Sequence, residues 1–316
     1  MNPDKRNFLL GLSGVGLVPA AVLLAGGGLS ACSFGSGPHH TGRHAPGLAR
    51  AADKEKHAGA TALVLSSGGP RGFVHVGVLE ALDEIGFHPE LVVGASVGAL
   101  LAALYCSGLN GKALRELALE LSVTELANVA LGADETFNGA PLARYVNDKI
   151  DHKSLEQLAR PCAIAALEKE TRTPVLFTRG DTGVAVQASA AIEGRFTPVM
   201  INQRNYMDLD SVAPLPVRLT RHLGASRVVS VDASAHENRA PPGAERYRTG
   251  DRIKRSITRP DAESADLNLH PFFGYWVSMS TEFRERAINA GYTETIARRR
   301  EIERLIDNRA LASTSG

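Results

Sequence analysis

The sequence predicts an α/β domain, on three observations. Short β-rich runs alternate with helical ones from Ala60 onward. A Gly-x-Ser-x-Gly stands between an apolar run and a helical one, and a glycine-rich segment about 25 residues earlier has the same setting. The chain has 316 residues, enough to bury a sizeable core as one large domain or two small ones. With 35 Lys and Arg against 34 Asp and Glu, it generates no long-range field, and its 5% aromatic content is low for stacking bases. No nucleic-acid partner is expected, and no oligomeric state is implied.

The first element is an export signal. Lys5 and Arg6 form a short basic start, residues 8–29 are apolar or small without charge, and the run closes on Leu29-Ser30-Ala31-Cys32. Small residues before that Cys resemble the bacterial lipobox. The resemblance implies cleavage after Ala31 and lipidation of Cys32. The run is also long enough to span a hydrocarbon core of about 30 Å as an uncleaved anchor, although Gly26-Gly27-Gly28 are poor helix formers. Ser33, where retained lipoproteins carry Asp, implies the periplasmic side of the outer membrane as the expected location. Removing residues 1–31 takes Asp4, Lys5 and Arg6 away and leaves the mature chain formally neutral. Contact with a bilayer is then expected through acyl chains, at about 0.8 kcal/mol per buried CH₂, and not through a basic surface.

Residues 32–58, rich in Gly, Pro, His and Ala without periodicity, read as a flexible tether to a domain spanning 59–316. Strands are expected at 62–65, 91–93, 162–167, 175–178 and 227–231, where short apolar runs are bounded by turn residues. Helices are expected at 73–85, 98–107, 113–121, 141–150, 216–223 and 282–306, where apolar residues recur at helical spacing. Residues 237–260 contain Pro241-Pro242-Gly243 and an excess of Arg and Lys, and are expected as an exposed loop or lid. Cys106 and Cys162 fall inside a predicted helix and strand and are expected as inert core thiols. The aromatic run 270–276 reads as core packing or the lining of an acyl pocket.

The chemistry is carried by two turns. In Gly94-Ala95-Ser96-Val97-Gly98, a serine on a tight strand-to-helix turn is presented to substrate, and small residues on either side let strand and helix approach. In Ser66-Ser67-Gly68-Gly69-Pro70-Arg71-Gly72, glycines free main-chain N–H groups to face an anion. Ser67 stands where a dinucleotide fingerprint needs its first glycine, and the Gly-Lys-Ser/Thr of a P-loop is missing. An oxyanion hole is the economical reading, and because Pro70 has no N–H its donors come from Gly68, Gly69 or their neighbours. A serine needs a base, and His222 and His236 are the histidines that an α/β-hydrolase order would allow.

Ser-Gly-Gly-Pro-Arg-Gly, then Gly-Ala-Ser-Val-Gly, then Tyr206-Met207-Asp208 with Pro214-Leu215-Pro216-Val217 and Leu223-Gly224-Ala225 resemble the patatin-like phospholipase family, in particular its bacterial members related to neuropathy target esterase. The resemblance covers roughly residues 62–234. It implies a three-layer α/β/α fold with a mostly parallel central sheet, a Ser–Asp dyad without histidine, no cofactor or metal, and membrane lipids as substrate. Ser96 would be the nucleophile, Asp208 the base, and Gly68 and Gly69 the oxyanion donors. A carboxylate with an ordinary pKa near 4 is a weak base, so the site is expected to be partly desolvated.

Two departures from the family pattern stand out. Ser67 replaces a glycine, and Asp-Gly-Gly/Ala has become Asp208-Leu209-Asp210. Leu209 would store about 1–3 kcal/mol of strain if its position needs positive φ. Asp210 sets a like charge beside Asp208, which either raises the base or marks a catalytically weak lipid-binding scaffold. Asp208, Asp210 and Asp232 also allow a hard-cation cluster.

Overall fold

The computed structural model describes residues 39–120 and 138–313, with side chains to residue 306. Cys32 and the signal segment lie outside the described residues.

Five parallel strands form the centre of one mixed sheet. These are β2 (Thr61–Leu65), β3 (Leu91–Ala95), β4 (Cys162–Glu168), β8 (Arg227–Val231) and β9 (Leu267–Leu269), in the order β4-β3-β2-β8-β9. β5 (Thr173–Arg179) extends the sheet antiparallel to β4, and β1 (Gly47–Leu48) does so antiparallel to β5. β6 (Val199–Ile201) and β7 (Arg204–Met207) form a ribbon whose second strand pairs with the end of β4. Every residue of β2, β3 and β4 is buried, which is why these strands read as continuous apolar runs without alternation.

From β2 the chain advances through β3 to β4 in one direction, while β8 and β9 lie on the other side of β2. The right-handed crossover rule therefore places α2 (Phe73–Ile85) and α3 (Val97–Cys106) on one face and α8 (Glu245–Ser264) on the other, giving the expected three layers. The turns after β2, β3 and β8 meet where the strand order reverses, the position at which open α/β sheets place their sites. α9 (Thr281–Ala297) closes on α2 at glycine contacts. A Cβ on Gly77 would sit 1.8 Å from the Ile288 carbonyl oxygen, and one on Gly291 would sit 2.2 Å from that of Val74. Cys106 and Cys162 are buried and unpaired, as expected.

Three expectations are corrected. The tether expected over 32–58 does not extend over the described residues 39–58. From His39 the chain lies on the domain: β1 pairs with β5, α1 (Ala51–Lys56) follows, and a Cβ on Gly224 would meet the Lys54 carbonyl oxygen at 2.6 Å. Most of the expected loop at 237–260 is instead the 20-residue α8, which continues through Pro260. Its exposed charged face hid the buried contacts, Thr258 and Asp261, that hold it down. Finally, the single helix expected at 282–306 breaks at Arg298, and α10 (Arg299–Ser313) follows.

Candidate active site

Ser96 occupies the turn between β3 and α3 with φ 54° and ψ −120°, a conformation that L residues rarely adopt. Its neighbours impose it. The Ser96 amide donates to Ser189 Oγ at 2.8 Å, and Ser189 Oγ donates to the Ala165 carbonyl at 2.6 Å, tying the turn to α6 (Thr182–Ser189) and β4. Both glycines of the motif are sterically required. A Cβ on Gly94 would lie 2.3 Å from the Gly98 carbonyl oxygen, and one on Gly98 would lie 2.3 Å from that of Leu65. Ser96 is 8% exposed and heads α3, whose first-turn N–H groups favour developing negative charge.

The loop after β2 packs on this turn. A Cβ on Gly72 would strike the Val97 side chain at 2.4 Å, and one on Gly98 would also meet the Ser66 carbonyl oxygen at 2.7 Å. Gly68 is extended at φ 166°, and Gly69 is left-handed at φ 53°. Among the described residues no acceptor takes the N–H of either, so both remain available to an anion. The loop is held from below. Ser67 N–H donates to the Pro214 carbonyl at 2.9 Å, Ser66 Oγ accepts the Ala233 amide at 2.8 Å, and His75 Nε2 lies 2.9 Å from the Ser66 carbonyl. Because a carbonyl only accepts, that nitrogen carries the proton. Burial pushes the His75 imidazole down to about 4, so it is neutral and supports the loop.

Asp208 follows β7, whose pairing with the end of β4 carries it to the serine turn. It is 4% exposed. The Ser96 side chain faces its carboxyl and favours the charged form, and the Asp210 amide donates to Oδ1 at 2.8 Å. Burial, and then the charge of Asp210, push the Asp208 carboxyl from 3.8 up to about 7 against the pull of those two groups and of Lys254. The desolvation that a carboxylate base needs is therefore present.

Leu209 is fully buried and is absent from the non-glycine residues with positive φ, so the strain considered for it does not arise. Asp210 is paired. Its carboxylate accepts from Ser67 Oγ and lies 2.5 Å from Lys254 Nζ. Burial would raise it, but the Lys254 ammonium and both hydrogen bonds hold it below the usual carboxylate range. Asp232, almost fully buried, pairs with Arg255 at 3.1 Å. Among the described residues no group of three His, Cys, Asp or Glu side chains is placed to hold a metal ion.

The two histidines are engaged elsewhere. His222 Nδ1 lies 2.7 Å from the Arg218 carbonyl on the exposed face of its own helix. His236 stacks on His270 with centroids 3.7 Å apart and lies 3.0 Å from the His270 carbonyl. In the aromatic run, Phe273 and Tyr275 are buried against Arg71, whose guanidinium donates to the Tyr275 carbonyl, while Phe272 is exposed. Sequence reasoning missed Ser189, His75 and Lys254 as parts of the site. Ser189 acts on a residue 93 positions away, and no local pattern marks such a bond.

The family described as patatin-like phospholipase matches residues 63–208. Neuropathy target esterase sws of Drosophila melanogaster is 27% identical over 184 residues, covering 56% of this chain and 13% of that protein. An uncharacterised NTE family protein of Mycobacterium tuberculosis is 27% identical over 207 residues, covering 64% of this chain and 56% of that protein. The chain thus spans about half the length, or less, of these relatives. Among solved structures, VipD from Legionella pneumophila superimposes with a TM-score of 0.48 at 14% identity, covering 77% of this chain and 67% of that one.

Proposed function

We propose that this chain, which is similar to the patatin-like phospholipase family over residues 63–208, is a serine acyl-hydrolase cleaving carboxylic esters of phospholipids or lysophospholipids. The observation that carries this reading is that a serine on a strained strand-to-helix turn and a buried carboxyl, Ser96 and Asp208, face each other beside a glycine loop with free N–H groups.

In the proposed reaction Asp208 takes the Ser96 hydroxyl proton as Oγ attacks the ester carbonyl carbon. Gly68 and Gly69 N–H groups receive the charge that moves onto the carbonyl oxygen. Collapse of the tetrahedral adduct breaks the C–O bond to the leaving alcohol, which takes the proton from Asp208 and leaves an acyl group on Ser96. Water then gives its proton to Asp208 and attacks the acyl carbon. Collapse returns the proton to Ser96 and releases the fatty acid. A base near pKa 7 can both accept and return the proton close to neutral pH, which a carboxyl near 4 does poorly. The hydrophobic core and partnered Asp210 support an active site over the scaffold reading.

Lipid attachment at Cys32, on the periplasmic side of the outer membrane, belongs to the same proposal and rests on the order of basic, apolar and small residues before that Cys. Ser96→Ala and Asp208→Asn should each abolish release of fatty acid from phosphatidylcholine and lysophosphatidylcholine. Cys32→Ala should abolish incorporation of labelled palmitate by expressing cells. Full hydrolysis by purified Ser96→Ala would refute the catalytic reading, and unchanged palmitate labelling would refute the anchor.

A further inference from the structure

The two departures from the family pattern touch each other. Ser67, in place of a glycine, donates its hydroxyl hydrogen to Oδ1 of Asp210, in place of glycine or alanine. The same oxygen receives Lys254 Nζ at 2.5 Å. Lys254 belongs to α8, outside the matched residues 63–208. The next residue, Arg255, pairs with the buried Asp232 at the end of β8. α8 is fastened further by Asp261, which takes the Arg218 amide at 2.7 Å and its guanidinium at 2.9 Å, and by Asp251, which accepts from the Tyr275 hydroxyl. From Lys254 the contacts run to the Asp210 carboxylate, and the Asp210 amide reaches Asp208 Oδ1 at 2.8 Å. A side chain 24% exposed on a helix of the opposite layer is therefore one residue removed from the proposed base.

We propose that Lys254 is a positioning residue of this site: by neutralising Asp210 and fixing its turn, it keeps the Asp208 carboxylate aimed at Ser96, with Ser67 and Asp210 as its docking pair. The proposal rests on the Ser96–Asp208 reading. Its electrostatic content follows from the groups that face the pair. Around Asp208 these are Ser96, the amide and carboxylate of Asp210, and Lys254. Around Asp210 they are Ser67 and Lys254. Arg255 is matched by Asp232, and Arg172, from the β4–β5 turn, by Glu193, while its other arm holds the Ser211 hydroxyl. Losing Lys254 leaves an unneutralised carboxylate against Asp208, making its ionisation harder. Losing the Asp210 charge as well leaves only the weaker direct pull of Lys254 on Asp208.

The test is the pH dependence of fluorophosphonate labelling for wild type, Lys254→Met, Lys254→Arg, Asp210→Asn, Asp210→Asn/Lys254→Met and Ser67→Ala, with Ser96→Ala as the blank. Lys254→Met should move the acid limb of the rate to higher pH by about half to one unit and lower the rate at pH 7 about two- to sixfold. Lys254→Arg should recover most of that loss. Ser67→Ala should shift the limb in the same direction by less. In the Asp210→Asn background, Lys254→Met should change the rate less than about twofold. An unmoved acid limb in Lys254→Met, or an equal loss in both backgrounds, would overturn the proposal. Wild type that labels no more than Ser96→Ala would instead refute the underlying dyad reading.

Discussion

Ser189 Oγ accepts the amide of Ser96 at 2.8 Å and passes its own hydrogen to the Ala165 carbonyl at 2.6 Å, so one buried hydroxyl holds the serine turn against the sheet. Ser189→Ala strands both groups in the core. The expected loss is about 2 kcal/mol of stability, and because the turn carries the strained Ser96 backbone, labelling should slow about tenfold or more. Denaturant unfolding and probe kinetics on this variant measure the two effects separately. A stable variant with wild-type kinetics would show that the turn needs no such support.

Asp208 and His75 make opposed contributions to stability with pH. Asp208, raised in the fold from 3.8 to about 7, contributes stability below pH 4 that is lost as pH rises through 7, roughly 4 kcal/mol in all. His75, lowered from 6.5 to about 4, contributes stability above pH 6.5 that is lost as pH falls through 4, roughly 3 kcal/mol. His236 is lowered similarly and acts in the same direction as His75. In Asp208→Asn the histidines are unopposed, so its Tm should fall more steeply than that of wild type between pH 7 and 4, and should exceed wild type above pH 8. Parallel Tm curves would contradict the buried, raised carboxyl. For activity the sign is simpler: in the proposed reaction Asp208 must be ionised, so kcat/KM of wild type should fall below an acid limb near pH 7.

The glycines divide by mechanism. Gly98→Ala drives a Cβ to 2.3 Å from a backbone oxygen and should leave little folded protein, a loss above about 4 kcal/mol. At Gly69 the Cβ meets nothing within 4 Å, and only the left-handed backbone resists, at about 1–2 kcal/mol. Gly69→Ala should fold and retain measurable activity, since its N–H is kept. Soluble expression and Tm of the pair check the contrast.

Leu209 is a core residue despite the small residue its place in the family pattern suggests. Leu209→Gly should cost roughly 3 kcal/mol or more through lost burial and raise no activity. Higher labelling by this variant than by wild type would mean that Leu209 obstructs the site.

The layered fold and both glycine turns were legible because each depends on local sequence: unbroken apolar runs for doubly buried strands, and small residues where backbones must touch. Asp208 was reached only through resemblance, because the four-residue strand that delivers it, β7, is too short to leave a periodic signal. α8 was read as a loop because Pro241-Pro242-Gly243 and its charges outweighed two buried side chains. Lys254 was hidden for the same reason: its partner is 44 residues away, and a cation on an amphipathic helix looks like any solvated charge until the ion pair is seen.

The most direct measurement of the central claim is peptide mapping by mass spectrometry after fluorophosphonate treatment of the purified protein. The Ser96–Asp208 account predicts one phosphonylated residue, Ser96, with labelling lost in Ser96→Ala and strongly slowed in Asp208→Asn, while His222→Ala and His236→Ala label like wild type. Modification at another serine, or labelling that disappears with either histidine and survives Asp208→Asn, would contradict it.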